Sequence, residues 1–176
     1  HALDVEDARD HDMSSLSEVE LDNLRKVVAD PINSCYRSLL RDSTLDVIDN
    51  MIRDVDFPGA TDPWGLSFLG FMARILQPAR VLELGTRIGF STIVLADIVS
   101  SNHNLGRITT VDPWVPHVEK AKKYVQDGGL TGAVEFVVGR SVDACVIEDL
   151  ERRGPFDLTY IDSSHFYEET MQELET

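Results

Sequence analysis

The stretch that most constrains the fold runs from Ala79 to Ala96 and reads ARVLELGTRIGFSTIVLA. Its first half, Val81–Leu84, is a short apolar run with one acid, as expected of a strand buried in a parallel sheet. Gly85 ends this run, and Gly89 opens a segment, 90–99, whose apolar residues recur at helical spacing. Strand, glycine turn and helix in this order predict the start of a nucleotide-binding βαβ unit.

The glycine turn indicates which ligand this unit could bind. Gly85 and Gly89 have no Cβ, so backbone N–H groups can approach a ligand closely, and the following helix N-terminus favours negative charge. Glu83 is expected to point its carboxylate into the same cleft, where it would repel a pyrophosphate but not an ammonium group or ribose hydroxyls. The spacing is G-x-x-x-G, with Arg87 where the middle glycine of a dinucleotide fingerprint would stand.

Composition narrows the class of partner. A length of 176 residues suits one domain, and the formal net charge of −15 argues against nucleic acid and anionic membranes, which bind basic patches. We see no run of about 18 apolar residues that could span a membrane. Cys35 and Cys145 lack metal or redox spacing, which predicts buried thiols in a reducing cytoplasm.

The first third of the chain predicts helices. A capping box at 15–18 begins a helix to about residue 29, a second helix ends near residue 41, and a third runs from caps at 42–44 to about residue 55. We therefore predict an N-terminal helical cap over residues 1–63 and a core over 64–176. The core begins with a helix, 64–76, whose apolar residues are expected to face inward: Leu66, Leu69, Phe71, Met72 and Ile75.

From there strands alternate with helices, with strands predicted at 81–84, 107–111, 134–138 and 156–161. This alternation predicts a parallel sheet with right-handed crossovers, whose ligands bind beyond the carboxyl ends of the strands. Polar side chains stand at four successive carboxyl ends. They are Glu83, Asp112, Ser141 and Asp162, and together they predict one site.

Two motifs resemble those of the class I S-adenosylmethionine-dependent methyltransferases, and most closely the small-molecule O-methyltransferases related to catechol O-methyltransferase. They are E-L-G-x-x-x-G-x-S at 83–91 and F-D-x-x-x-x-D-x-x-[HK] at 156–165. The resemblance implies an α/β, Rossmann-like parallel sheet with an N-terminal helical cap. That family has seven strands, so the chain apparently lacks the last ones. The open edge predicts a homo-oligomer or a larger assembly that covers it.

The resemblance also implies cofactor contacts. Asp112, 23 residues after Gly89, would bind both ribose hydroxyls, although it could instead cap the next helix. Ser91 would meet the methionine carboxylate or act only as a first-turn cap, and Trp114 would lie on the adenine or cover the core edge. The implied cofactor-binding set is Glu83, Gly85, Thr86, Gly89, Ser91, Asp112, Ser141 and Asp162.

The second motif implies the chemistry. By resemblance, Asp162 is the candidate ligand of Mg²⁺ or Mn²⁺, and His165 is the candidate general base, although it could simply point into water at a helix start. Methyl transfer from a sulfonium requires a deprotonated nucleophile. A histidine can accept a proton near neutral pH, and a hard cation lowers the pKa of a bound hydroxyl.

The implied function is S-adenosylmethionine-dependent methyl transfer to a hydroxyl of a small molecule of secondary metabolism, such as a phenol, sugar or polyketide-type metabolite. Two alternatives remain open at this point. The acceptor could be carbon or nitrogen with the same cofactor site, or the chain could be a catalytically silent methyltransferase-like scaffold. The G-x-x-x-G spacing disfavours a nicotinamide oxidoreductase.

Overall fold

In this computed structural model the described residues are Ser17, Val19, 35–57 and 60–175. The helix predicted over residues 15–29 lies, apart from Ser17 and Val19, outside the described residues. Within the described part, no helix is both long and apolar enough to cross a membrane.

The described residues form one parallel sheet with the strand order β3-β2-β1-β4. From β1 the chain adds β2 and then β3 on one side, and it then crosses back to place β4 on the other side of β1. All three strand pairs are parallel. The predicted α/β fold with a four-strand parallel sheet is therefore confirmed, and the strand ends differ from the prediction by at most two residues. The strands are β1 (Arg80–Leu84), β2 (Arg107–Asp112), β3 (Val134–Val138) and β4 (Leu158–Ile161).

Helices cover both faces of the sheet. A 3₁₀ helix at Cys35–Leu39 stands where an α-helix was expected, and Asp42 is the first residue of the next helix rather than its cap. Asp62 caps the helix that leads into the sheet, because its carboxylate accepts hydrogen bonds from two first-turn N–H groups. The α-helices are α1 (Asp42–Met51), α2 (Pro63–Leu76), α3 (Phe90–Ser100), α4 (Val115–Asp127), α5 (Ala144–Arg153) and α6 (Tyr167–Glu175).

Helix α3 is the centre of the core, since every residue from Phe90 to Val99 is buried. It packs between the sheet and helices α1 and α2. Arg41, just before α1, binds the buried carboxylate of Asp97 through both its backbone N–H and its guanidinium. Alternate residues of β1 face opposite sides: Val81 joins the α3 side, and Leu82 and Leu84 join the α5 side.

Two expectations about burial were wrong. The inner face of α2 is formed by Leu66, Leu69 and Ala73, so Phe71 and Ile75 fall on the opposite, exposed side of the helix. Cys35 and Cys145 are both exposed, because each stands at the start of a helix whose buried face is formed by other residues.

Candidate active site

A cavity of about 520 Å³ opens at the carboxyl ends of the strands. This is the position that the topology of a parallel sheet predicts for a ligand site. Seven of the nine predicted site residues line it, and Glu83 and Gly89 do not. The seven are Gly85, Thr86, Ser91, Asp112, Ser141, Asp162 and His165.

The glycine turn brings the ends of β1 and β4 together. Gly85 has φ 104°, and a Cβ at this position would lie 2.1 Å from the carbonyl oxygen of Asp162. Gly89, with φ 88°, caps α3, and a Cβ there would lie 2.9 Å from the Cβ of Ala121. Since Gly89 has no side chain with which to cap α3, the first-turn N–H groups of that helix are left for backbone groups or a ligand.

Glu83 is fully buried and is absent from the cavity lining, contrary to the expectation that it points into the cleft. The alternation of β1 turns its side chain under α3, where Oε1 accepts a hydrogen bond from Ser91 at 2.6 Å. Oε2 accepts from Thr92 and from Thr110, the latter at 2.6 Å. Burial raises the pKa of Glu83 to about 7 although these hydroxyls oppose the rise. Its role toward a cofactor stays a prediction.

Asp112, at the end of β2, holds the glycine turn in place. Oδ2 accepts a hydrogen bond from the backbone N–H of Arg87 at 2.7 Å, and Oδ1 accepts one from that of Trp114 at 2.8 Å. The N-cap residue of α4 is Trp114, and no side chain caps this helix, so Asp112 binds the N–H of the cap residue without being the cap itself. Each carboxylate oxygen keeps a further lone pair, which leaves room for the ribose contact as a prediction. Trp114 is 60% exposed and lines the cavity.

Helix α6 bridges the segments that follow the two edge strands, β3 and β4. Glu173, which is buried, accepts hydrogen bonds from the hydroxyls of Ser141 and Ser163, and Arg140 pairs with Glu169. The hydroxyl hydrogen of Ser141 is therefore donated to Glu173 and is not available to a ligand.

Asp162 joins the N-terminal segment to β4. Its Oδ2 accepts hydrogen bonds from the hydroxyls of Thr61 and Tyr160, each at 2.9 Å. Its Oδ1 lies 3.5 Å from Nε2 of His165. Burial raises the pKa of Tyr160 well above its usual range, so this phenol stays a donor to the carboxylate. The result is a carboxylate with one oxygen held by hydroxyls and the other facing an imidazole.

His165 projects toward open solvent at the mouth of the cavity. Its side chain is 76% exposed, and its backbone has φ 59°, in the left-handed region. Non-glycine residues in that region are uncommon and are concentrated at functional sites, where the surrounding structure holds them. The imidazole keeps its Nε2 3.5 Å from Oδ1 of Asp162.

The hydroxyl partners of Asp162 were not foreseen from the sequence. Tyr160 precedes it by two residues, so the period of a strand could have placed both on the same side of β4. Thr61 is 101 residues away in the chain and carried no local signal. A loop anchor was also missed: Lys120 on α4 binds the carboxylates of Asp54 and Asp56, which lie just before the Thr61 segment.

The environment of Asp162 does not by itself form a metal site. Among the described residues there is no group of three or more His, Cys, Asp or Glu side chains that could hold a metal ion. The neighbours of the Asp162 carboxylate are two hydroxyls and one imidazole. Hard cations such as Mg²⁺ take six or so oxygen ligands, so a metal here would need ligands beyond these.

The fold and cavity define an α/β domain with a nucleotide-cofactor type of site. A family model described as a methyltransferase domain matches residues 82–176. The catechol O-methyltransferase of Niastella koreensis is 32% identical over 123 residues, covering 69% of this chain and 54% of that protein. The catechol O-methyltransferase of Mycobacterium tuberculosis is 40% identical over 96 residues, covering 54% and 41%. The chain thus spans about half the length of these relatives.

Solved structures of O-methyltransferases have the same fold as this chain. An O-methyltransferase from Bacillus cereus, in complex with S-adenosylhomocysteine, matches with a TM-score of 0.65 and 25% identity over 88% of this chain and 67% of that one. The O-methyltransferase of tomaymycin synthesis from Streptomyces achromogenes, in complex with S-adenosylmethionine, has a TM-score of 0.62 and 26% identity over 89% and 69%. The chain belongs to the methyltransferase domain family, and the resemblance seen in the sequence motifs is confirmed.

Proposed function

We propose that this chain forms the S-adenosylmethionine site of a methyltransferase that acts on a hydroxyl group of a small molecule. One observation carries the proposal. The glycine turn, Asp112 and the Asp162–His165 pair line one cavity at the strand ends, in a chain of the methyltransferase domain family. Its relatives and neighbours named as O-methyltransferases support the oxygen acceptor.

The chain's own residues would bind and orient the cofactor. Residues 85–88 and Ser91 line the cavity, and they would bind the amino acid portion of the cofactor. Asp112 would offer its remaining lone pairs to the ribose hydroxyls, and Trp114 and Ser141, which also line the cavity, would contact the base. When bound, S-adenosylmethionine supplies a methyl group on a sulfonium, which reacts in line with a nucleophile.

His165 would accept the proton of the acceptor hydroxyl, and Asp162 would orient and stabilise the resulting imidazolium through the Oδ1–Nε2 contact. Thr61 and Tyr160 fix the Asp162 carboxylate from the other side, so the pair is held in one geometry. The Thr61 contact also supports the proposal that the segment before residue 64 caps the site. Mg²⁺ or Mn²⁺ assistance stays a prediction that requires ligands outside the described residues.

We expect Asp112→Ala to weaken S-adenosylhomocysteine binding by roughly 1–3 kcal/mol, the usual loss when a buried hydrogen-bonding partner is removed. Titration calorimetry measures the change. Asp143→Ala is the control, because Asp143 is likewise an aspartate that precedes a helix after a strand but is exposed and outside the cavity lining. Unchanged affinity in the Asp112 variant would contradict the ribose assignment.

Titration of S-adenosylhomocysteine into the chain, with and without Mg²⁺ or Mn²⁺, tests the proposed function directly. Micromolar binding is expected from a built cofactor site, and an affinity that rises with metal would assign a ligand role to Asp162. A folded chain that binds no S-adenosylhomocysteine would contradict the proposal and favour a silent scaffold.

A further inference from the structure

The hydroxyl groups around Glu83 have few hydrogens to donate, and the buried carboxylate takes most of them. Within the described residues, the hydroxyls of Ser91, Thr92 and Thr110 all donate to its two carboxylate oxygens. A hydroxyl has only one hydrogen. The Thr110 hydrogen is spent on Glu83, so the 2.6 Å contact between Thr110 and Thr86 must be donated by Thr86.

Ser91 stands at the boundary between this network and the cavity. Its single hydroxyl hydrogen points to Oε1 of Glu83, and its Oγ therefore presents only lone pairs to a ligand. A ligand carboxylate also offers only lone pairs. The two would repel each other unless the Ser91 hydrogen turned toward the ligand, and that turn would leave Oε1 of a fully buried carboxylate without its donor.

We propose that binding of the cofactor's carboxylate at Ser91 is coupled to the uptake of one proton by Glu83. This inference rests on the proposed cofactor site. The proton comes from solvent and adds to Oε1, which then donates to Oγ of Ser91. The Ser91 hydroxyl hydrogen is released to the ligand carboxylate, while Thr92 and Thr110 keep their bonds to Oε2. Every donor and acceptor is then satisfied.

The surroundings of Glu83 favour this uptake. The charged group that acts on Glu83 is Asp162, which directly follows β4, and the charge of Glu83 in turn acts on the phenol of Tyr160 within β4. The neighbours on α3 and β2 named above are uncharged hydroxyls. Burial already raises the pKa of Glu83 to about 7, and a second anion placed next to Ser91 would raise it further.

The test is titration calorimetry of S-adenosylhomocysteine at about pH 8 in buffers of different ionisation enthalpy, which counts the protons taken up. At that pH a carboxyl with a pKa near 7 is mostly ionised, so the wild-type chain should take up close to one proton per ligand. Its dissociation constant should rise by almost tenfold for each further pH unit. 5′-Methylthioadenosine, which lacks the amino acid portion, should bind with no proton uptake.

Glu83→Gln is the matched variant, because the Gln amide can donate to Ser91 permanently. This variant should bind S-adenosylhomocysteine without proton uptake by the protein, apart from any protonation of the ligand itself. Its dissociation constant should not rise with pH as that of the wild type does. Ser91→Ala should bind more weakly and also lose the uptake, which keeps the test decisive if Glu83→Gln does not fold. Wild-type binding with the same proton count as the variants would overturn the coupling. No binding at all would overturn the proposed function and the coupling with it.

Discussion

Gly85→Ala should lower the free energy of unfolding by about 3 kcal/mol or more. Two costs add: φ 104° is a conformation that a residue with a Cβ rarely adopts, and the new Cβ would lie 2.1 Å from the carbonyl oxygen of Asp162. Neither backbone can move away easily, because β1 and β4 are paired up to this point. Urea denaturation followed by circular dichroism measures the loss.

Two other glycines separate these costs. Gly129 has φ 67°, but a Cβ added there would meet no atom within 4 Å, so Gly129→Ala reports the backbone cost alone, at about 1 kcal/mol. Gly132 has neither feature, and Gly132→Ala should leave stability within about 0.5 kcal/mol of the wild type. A Gly85 variant no less stable than the Gly129 variant would show that the strand ends are not closely packed.

His165→Ala should lower the rate of methyl transfer by a factor on the order of 10² or more, the usual contribution of a positioned general base. The affinity for S-adenosylhomocysteine should be kept, because the imidazole lies at the open mouth of the cavity and is largely exposed. The rate should be measured with a panel of phenols and aliphatic alcohols under saturating cofactor.

The control is His103→Ala, which removes an exposed histidine from the loop between α3 and β2 and should not affect the rate. Added imidazole should restore part of the activity of the His165 variant, since it can enter the exposed space and accept the proton. A His165 variant as active as the wild type would exclude the base role, and loss of cofactor affinity would show that His165 holds the ligand instead.

The sequence predicted the frame of the site well because that frame depends on short-range rules. The apolar run before Gly85 predicted β1, the positions of Gly85 and Gly89 predicted the turn, and the polar residues that follow β2 and β4 predicted Asp112 and Asp162 at one edge. Each of these features follows from local periodicity or from the topology of a parallel sheet.

The remaining features could not be predicted, because they depend on long-range packing. Thr61 meets Asp162 only after the chain has crossed the sheet, and Glu173 reaches Ser141 only when α6 folds back. The prediction that Glu83 points into the cleft was wrong. The pleat of β1, and not the position of Glu83 at the strand end, decides on which side of the sheet the carboxylate lies. Phe71 and Ile75 were wrongly predicted to face inward, because helical spacing identifies apolar stripes but does not show which stripe packs against the rest of the protein.

The strand order also determines which half of the site can form first, the half with the glycine turn and Asp112 or the half with Asp162 and His165. Glu83 and Thr110, on neighbouring strands, are 27 residues apart, whereas Arg80 and Asp157 are 77 apart. Closing the longer loop costs more chain entropy. On the ribosome, the glycine turn and Asp112 can be in place before Asp162 and His165 have been synthesised. The domain therefore acquires a place for a ligand before it acquires the groups that would act on it.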